Sequence, residues 1–106
     1  MKLTVFVLLM ASPDWLALPR ADRGRLADEA AKATFTDTRT SFRFFDAEAF
    51  SARVSDVLMI TAERAEDHYS AIERLRDTTL ITDRYFTVVE IIPAYENGHR
   101  EFEGRH

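Results

Sequence analysis

The clearest pattern along the chain is a pair of apolar segments, Leu3–Met10 and Val57–Ile60, in which nearly every side chain is hydrophobic. A strand with one solvent-exposed face alternates apolar and polar residues, whereas a strand covered on both faces is apolar throughout. Both segments are therefore expected to be central strands of a sheet. The chain has helical segments enough to cover one face, so we expect a second copy to cover the other.

Two further strands carry charge, which is typical of sheet edges or of the lining of a site. The first, Thr40–Asp46, contains alternating phenylalanines and ends in acids. A six-residue connection, Ala47–Ala52, is short enough for a hairpin into a third strand predicted over Arg53–Thr61. The second charged strand, Tyr85–Ala94, is stopped by Pro93 and followed by an Asn97-Gly98 turn signal.

Helical patterns lie between these strands. Ser12-Pro13 is a helix-start signal, with a single turn over Asp14–Leu18 and a main helix over Pro19–Ala33. The face of that helix is rich in alanine, at Leu26, Ala27, Ala30, Ala31 and Ala33. Such a face lets a helix approach a sheet closely or leaves a space beneath it, and the sequence leaves both open. A second helix, Ala65–Arg76, repeats apolar residues at Ala65, Tyr69, Ile72 and Leu75.

The resulting order is β-α-β-β-α-β, the ferredoxin-like arrangement of the α+β class. It predicts a four-stranded antiparallel sheet with two helices on one face. The first and third strands are central in that arrangement, in agreement with the distribution of charge. The predicted assembly is a homodimer through the open sheet face, and residues 1–106 are expected to form one domain.

Composition narrows the possible functions. The net charge of −4 disfavours binding to nucleic acid or to an anionic membrane, because both are recognised through clustered basic residues. Cysteine is absent, which excludes thiol chemistry and thiolate metal sites. There is no glycine-rich phosphate loop, no nucleophile elbow and no paired-histidine motif. We therefore expect neither a cofactor nor a metal, and any ligand would be a small molecule.

The segment Met1–Ala11 has two interpretations. It resembles a short signal peptide, with Lys2 before an apolar run. That run is short for a signal, however, and Pro13 follows where small residues would mark a cleavage site. We favour a retained central strand, and with it a cytoplasmic location. No segment reaches the ~20 apolar residues of a membrane-spanning helix.

An acidic group formed by Asp46, Glu48 and Asp56 is the first candidate for chemistry. A carboxylate at the rim of an apolar cleft can have a raised pKa and act as a general base, so Asp46 or Glu48 is the candidate base and Asp56 a substrate contact. Arg43 is the candidate partner for a developing oxyanion. The structural alternative is that Arg43 or Arg53 pairs with these acids and fixes the hairpin.

Other candidates have equally plain structural alternatives. Arg76 could reach into the cleft to bind an anionic oxygen, or could offset the dipole at a helix C-terminus. His68 could exchange protons with a ligand or simply be half-buried in the packing. The remaining candidate contacts are the cleft walls Trp15, Phe44, Tyr69 and Tyr85. His99 and His106 are expected in solvent.

Several segments resemble the darcynin family, small bacterial proteins related to the dimeric α/β-barrel superfamily. They are Ser12-Pro13-Asp14-Trp15-Leu16-Ala17-Leu18, Arg43-Phe44-Phe45-Asp46-Ala47-Glu48-Ala49-Phe50, Ser55-Asp56, Leu75-Arg76-Asp77-Thr78 and Tyr95-Glu96-Asn97-Gly98. The resemblance implies the fold and the dimer, and no established reaction. The wider superfamily includes cofactor-free monooxygenases, polyketide cyclases and isomerases, and proteins without known catalysis. We therefore expect a small-molecule site between sheet and helices, with cofactor-free acid–base or monooxygenase-type chemistry. The alternative is a non-catalytic binding or interaction dimer.

Overall fold

The structure, a computed structural model, describes residues 1–104 and contains one antiparallel sheet with helices on one side. The strands are β1 (Leu3–Ala11), β2 (Thr40–Asp46), β3 (Asp56–Ala62) and β4 (Phe86–Ala94), and the helices are α1 (Pro13–Ala17), α2 (Arg20–Thr34), α3 (Ala65–Arg76), α4 (Thr79–Thr82) and α5 (Gly98–Gly104). The strand order β2-β3-β1-β4 makes β1 and β3 central. The predicted ferredoxin-like fold is thus confirmed. His106 lies outside the described residues.

The core lies between the sheet and helices α2 and α3. Val5 and Val7 of β1 and Ile60 of β3 are completely buried. Ser12 caps α1 by accepting a hydrogen bond from the backbone N–H of Trp15 at 3.2 Å, and Pro13 follows at the first helical position, as the sequence predicts. Within residues 1–104, no helix is long and apolar enough to cross a membrane.

The face of the sheet opposite to α2 and α3 is largely apolar at its centre. The strand registers define two rows of side chains across it, Phe45-Val57-Leu8-Glu90 and Arg43-Met59-Phe6-Ile92. Phe45 and Ile92 are about 40% exposed, and Phe6, Leu8, Val57 and Met59 are half-buried. We call these two rows the open face.

The third strand begins later than predicted. The sequence places its start at Arg53, but β3 begins at Asp56. The reason is a turn in the hairpin, where the hydroxyl of Ser51 accepts hydrogen bonds from the backbone N–H groups of Arg53 and Val54. These N–H groups are therefore not available to a strand ladder. Pro93 was expected to stop the fourth strand, but β4 continues through it to Ala94. Proline is tolerated there because β4 is an edge strand.

The buried stripe of α3 was predicted only in part: Leu75 is buried and Ile72 packs half-buried against the core, whereas Ala65 and Tyr69 are exposed. Tyr69 is 67% exposed, and the buried residues of the helix are Asp67, Ala71 and Leu75. Asp67 is buried because its two carboxylate oxygens bind guanidinium groups, one from Arg39 at 3.1 Å and one from Arg64 at 3.4 Å. The ion pairs of Asp67 therefore add a charged residue to the buried face of the helix, which hydrophobicity alone would not select.

Two short helices were not predicted. Neither α4 nor α5 has a counterpart among the predicted elements. Asn97 adopts a left-handed conformation (φ 51°) immediately before α5, in agreement with the predicted turn signal. His99 is exposed, as expected.

Replacing Asp67 with Ala should lower the free energy of unfolding by about 1–3 kcal/mol, because both charge-assisted contacts are lost. The neighbouring Glu66→Ala is the matched control, since Glu66 pairs with Arg64 on the exposed side of the helix. Exposed ion pairs contribute at most about 1 kcal/mol. Urea unfolding of both variants measures the difference, and equal losses would contradict the role assigned to Asp67.

Candidate functional site

A cavity of about 320 Å3 lies between α2 and the sheet. We call it the cavity. Its walls are mainly aliphatic and aromatic, and the polar side chains along it are few: Asp28, Thr34 and Asp56. The lining is formed by Leu9, Trp15, Ala27, Asp28, Ala30, Ala31, Thr34, Phe35, Phe42, Phe44, Asp56, Leu58, Leu75, Leu80, Ile81 and Phe86. Apolar walls with few polar groups are typical of sites for small organic ligands.

The cavity exists because α2 directs small side chains toward the sheet. Ala27, Ala30 and Ala31 line it where larger residues would fill the space. The alanine-rich face could let the helix approach the sheet closely or leave a space beneath it, and the structure has the space. On the β2 side the cavity is closed by Phe35 and Phe42, whose rings stack with centroids 4.3 Å apart.

Trp15 forms the wall at one end of the cavity. The short helix α1 holds it in place, and its ring packs against Tyr85 (centroids 5.5 Å apart) and Phe86 (4.9 Å). Trp15 is buried although it lies on a five-residue helix. Trp15 is therefore a packed core residue and also a wall of the cavity. Tyr85 supports Trp15 but does not itself line the cavity.

Asp56 is the half-buried carboxylate of the site. It is the first residue of β3, and one of its oxygens accepts a hydrogen bond from the hydroxyl of Ser55 at 2.7 Å. The same hydroxyl accepts a hydrogen bond from the backbone N–H of Ala11 at 2.7 Å, so it is fixed between β1 and β3. Ser55 is buried, and its backbone N–H also donates to the carbonyl of Leu9. The position of Asp56 is therefore set by the two central strands.

Burial raises the pKa of Asp56 above its ordinary value. The Ser55 hydrogen bond acts in the opposite direction, and the nearby charges of Asp46 and Glu48 raise the pKa further. Asp46 lies directly opposite Asp56 in the β2–β3 register, where two like charges repel each other. Asp56 is thus a stronger base than an isolated aspartate and has one oxygen that is not bound by Ser55.

A second, more polar cavity of about 360 Å3 adjoins the first and shares Trp15, Ala27 and Asp56 with it. We call it the portal. Its other lining residues are Ala11, Leu16, Arg20, Arg23, Gly24, Asp46 and Glu48. Arg20 and Arg23 come from α2, and the two acids from the end of β2 and the hairpin. Asp56 stands where the apolar cavity meets the charged portal.

The structure brings five of the predicted site residues together: Trp15, Phe44, Asp46, Glu48 and Asp56. Asp46 and Glu48 are exposed at the portal. Both acids line the portal and not the apolar cavity, at whose rim the candidate base was expected.

Arg43 and Arg76 lie elsewhere. Strand alternation places Arg43 on the open face, where its guanidinium is 5.2 Å from the centre of the Phe45 ring. Arg76 is exposed at the end of α3 and lines neither cavity nor portal. Both are therefore separated from Asp56.

His68 and Tyr69 are also outside the site. Tyr69 is on the outer surface of α3, and His68 is half-buried within it. Burial lowers the pKa of His68, and its Nδ1 is buried with no hydrogen-bond partner among residues 1–104. The packing alternative describes the place of His68 better than the proton-exchange one.

The hairpin is not held by the ion pairs that the structural alternative required. Among residues 1–104, neither Arg43 nor Arg53 forms a salt bridge with Asp46, Glu48 or Asp56. The hairpin is fixed by a backbone bond from the Ala47 N–H to the Ser55 carbonyl at 2.8 Å, and the Glu48 N–H also donates to the Asp46 carboxylate at 3.2 Å. The acids are free to face the portal.

Sequence reasoning missed Arg20, Arg23 and Ser55. The two arginines lie on the face of α2 that also carries Ala27, so the alanine stripe extended by one turn would have indicated them. Ser55 is marked in the sequence only by the resemblance of Ser55-Asp56 to a family segment, which assigns it no role. Within the described residues, no three His, Asp or Glu side chains are grouped closely enough to hold a metal ion.

Comparison with solved structures supports the fold. Chlorite dismutase from Candidatus Nitrospira defluvii, solved in complex with imidazole, superposes with a TM-score of 0.73 over 94% of this chain, at 12% sequence identity. A variant of the same enzyme gives a TM-score of 0.72 over 87% of this chain, at 15% identity. The present chain spans less than half the length of these proteins, at 46% and 38%. At this level of identity the likeness shows that the two proteins share the fold, and nothing more.

Comparison by sequence is more specific. A darcynin homolog of Granulibacter bethesdensis is 37% identical over 105 residues, which cover 97% of this chain and 84% of the relative. The darcynin of Chromobacterium violaceum is 51% identical over 63 residues, 59% of this chain and 80% of the relative. The family model described as darcynin, a domain of unknown function, matches residues 1–106. The chain belongs to the darcynin family.

Proposed function

We propose that this protein binds a small, mainly apolar organic molecule in the cavity and uses Asp56 as the polar anchor. The observation that carries the proposal is the combination of an apolar space of about 320 Å3 with one half-buried carboxylate at its end. Ligand sites commonly have volumes of ~300–1,000 Å3 and a few polar groups that orient the ligand. The free oxygen of Asp56 suits a ligand hydroxyl or another hydrogen-bond donor.

The chemistry that fits this arrangement is proton transfer without a cofactor. Asp56 takes a proton from a ligand O–H or activated C–H group and becomes a neutral acid, and the negative charge moves to the ligand. A raised pKa favours that step, because a base works best when its pKa approaches the working pH. The base is thus assigned to Asp56, while Asp46 and Glu48 contribute by raising its pKa. A binding protein without catalysis would need the same cavity and anchor.

We also propose that the protein works as a homodimer joined through the open face. Four strands of seven to nine residues cover about 19 Å by 25 Å at ordinary strand spacings. Side-chain relief adds to that flat area, so two faces together reach the range of ~1,200–2,000 Å2 found in stable interfaces. Exposed apolar patches of this size are rare on monomers.

A second copy suits the open face better than an unrelated partner because the charges on it are self-complementary. Among the strand residues of this face, the charged ones are Arg43 at the β2 edge and Glu90 at the β4 edge. A face-to-face pair with its two-fold axis along the strands places the β2 edge of one copy over the β4 edge of the other. Arg43 then lies near Glu90 of the second copy.

Filling the cavity should prevent binding. Ala31→Phe places a ring in the cavity and should weaken binding of a neutral bicyclic probe, 2-naphthol, by at least about tenfold. Ala21→Phe adds the same ring on an exposed part of the same helix and should leave binding unchanged. Titration calorimetry measures both. Equal affinities in Ala31→Phe and the unmodified protein would rule out the cavity as the binding site.

Asp56→Asn should raise the free energy of unfolding at pH 7, because it removes a charge that burial disfavours. The folded-state pKa lies above the ordinary value of about 3.9, so the folded protein holds this proton more tightly than the unfolded chain. The original protein therefore gains stability relative to the variant as the pH falls through that raised pKa, and the difference closes below the ordinary value.

Urea unfolding of both proteins at pH 7 and near pH 4 measures this convergence. Glu73→Gln, which alters an exposed carboxylate of α3, is the control and should change stability little at either pH. Binding of 2-naphthol to Asp56→Asn should fall about tenfold, since a hydrogen bond to a charged group contributes ~1.5–3 kcal/mol. A variant less stable than the original at pH 7 would show that Asp56 is a structural anchor.

Met59→Glu should convert the dimer to a monomer, because it places a charge at the centre of the open face. Tyr69→Glu, on the outer surface of α3, is the matched control and should remain dimeric. Sedimentation at low micromolar concentration distinguishes the two. A 12.2 kDa species for the unmodified protein would contradict the dimer.

A further inference from the structure

The portal contains two arginines that have no ionic partner within residues 1–104. Arg25, on the outer side of α2, pairs with Glu29 at 3.2 Å and Asp22 at 3.8 Å. Arg20 and Arg23, on the portal side of the same helix, form no salt bridge in the described part of the chain, and the Nε of Arg23 is buried without a hydrogen-bond partner. Buried polar atoms of this kind are uncommon and call for an explanation.

Arg23 is placed to contact whatever occupies the cavity. It lies four residues before Ala27 on α2, and side chains four residues apart share one helix face. Ala27 lines both cavity and portal, so a molecule that fills the cavity and projects past Ala27 meets Arg23 next. The guanidinium of arginine matches a carboxylate in geometry and binds it with two parallel hydrogen bonds.

The opposite side of the same space requires a hydrogen-bond donor. Asp56 offers a free carboxylate oxygen, and Asp46 and Glu48 add negative charge behind it. A simple anion would be attracted to Arg23 and repelled by Asp56, and a simple cation the reverse. A head group that satisfies both sides carries an acidic oxygen for the arginine and a hydroxyl for the aspartate.

We infer that the ligand of this site is an aromatic hydroxy acid, with its ring in the cavity, its carboxylate on Arg23 and its hydroxyl on Asp56. Arg23 is then the residue that determines specificity for the acid, and Arg20 at the outer rim assists it. The inference rests on the proposed function, since it requires the cavity to be the binding site. It adds the chemical class of the ligand.

Three bicyclic probes of similar size test the assignment by titration calorimetry: 2-naphthol, 2-naphthoate and 4-hydroxy-2-naphthoate, whose hydroxyl is too far from its carboxylate for an internal hydrogen bond. The hydroxy acid should bind at least about tenfold more tightly than either of the others, because it alone satisfies both sides of the portal. Arg23→Gln should remove that advantage, so that the hydroxy acid binds no more tightly than 2-naphthol. Arg25→Gln, the matched control on the paired side of α2, should behave like the unmodified protein with all three probes.

The outcomes separate this inference from the proposed function. If 2-naphthol binds and the hydroxy acid binds no more tightly, or if Arg23→Gln keeps the preference, the inference is overturned and the cavity remains a binding site. If none of the probes binds, both are overturned. Should Arg23→Gln not fold, the ranking of the three probes on the unmodified protein decides, and Arg23→Lys, which keeps the charge without the planar fork, should give an intermediate preference.

Discussion

The contact between α2 and the sheet determines the rest of this molecule. A helix covering two central strands would ordinarily fill the space between them with large side chains, since protein interiors are closely packed. Here Ala27, Ala30 and Ala31 point toward strands whose own residues, Leu9 and Leu58 among them, are of ordinary size. The layers are held apart at their edges by aromatic rings, and a space remains in the middle. Cavity, portal and the burial of Asp56 all follow from that one mismatch in size.

The same mismatch in side-chain size explains why Asp56, and not the acids near it, is partly buried. On the helix side of the sheet, Asp56 is withdrawn from solvent by the edge of the cavity, while Ser55 fixes it to both central strands. The nearby acids keep solvent contact and therefore act through their charge. A carboxylate held rigidly between an apolar cavity and a solvent-exposed portal can accept a hydrogen bond from a ligand, exchange a proton with it, or do both in turn.

Much of the fold could be predicted from the sequence because strand alternation depends on short-range pattern. The unbroken apolar run of β1 identified a central strand, and the charges of β2 identified an edge, without reference to tertiary contacts. The boundary at Asp56 was missed because the hydroxyl of Ser51 captures two backbone N–H groups. Part of the buried face of α3 was missed because Asp67 is buried by ion pairs with Arg64, three residues before it, and with Arg39 in the loop between α2 and β2.

The site was only partly predictable for a related reason. The acids and Trp15 were identified because their residue types suggest chemistry. Arg43 was grouped with them, but side chains alternate between the two faces along β2, and Arg43 lies on the face opposite to the acids. The sequence likewise does not show that Asp56, rather than Asp46 or Glu48, is the half-buried carboxylate of the three, since burial depends on how distant elements pack together. The alanines of α2 show in the sequence that the side chains on one helix face are small. Only the folded structure shows that no other residue fills the space beneath them.

Trp15 gives this protein an optical property that follows from its position. It is the single tryptophan of the chain, and it forms part of the wall of both cavity and portal. Its indole emission therefore arises from one defined place, with Tyr85 close enough, at 5.5 Å between ring centres, to pass excitation to it. Any occupant that excludes water from the indole or quenches it alters that emission, so compounds can be screened against this protein without a dye or a label.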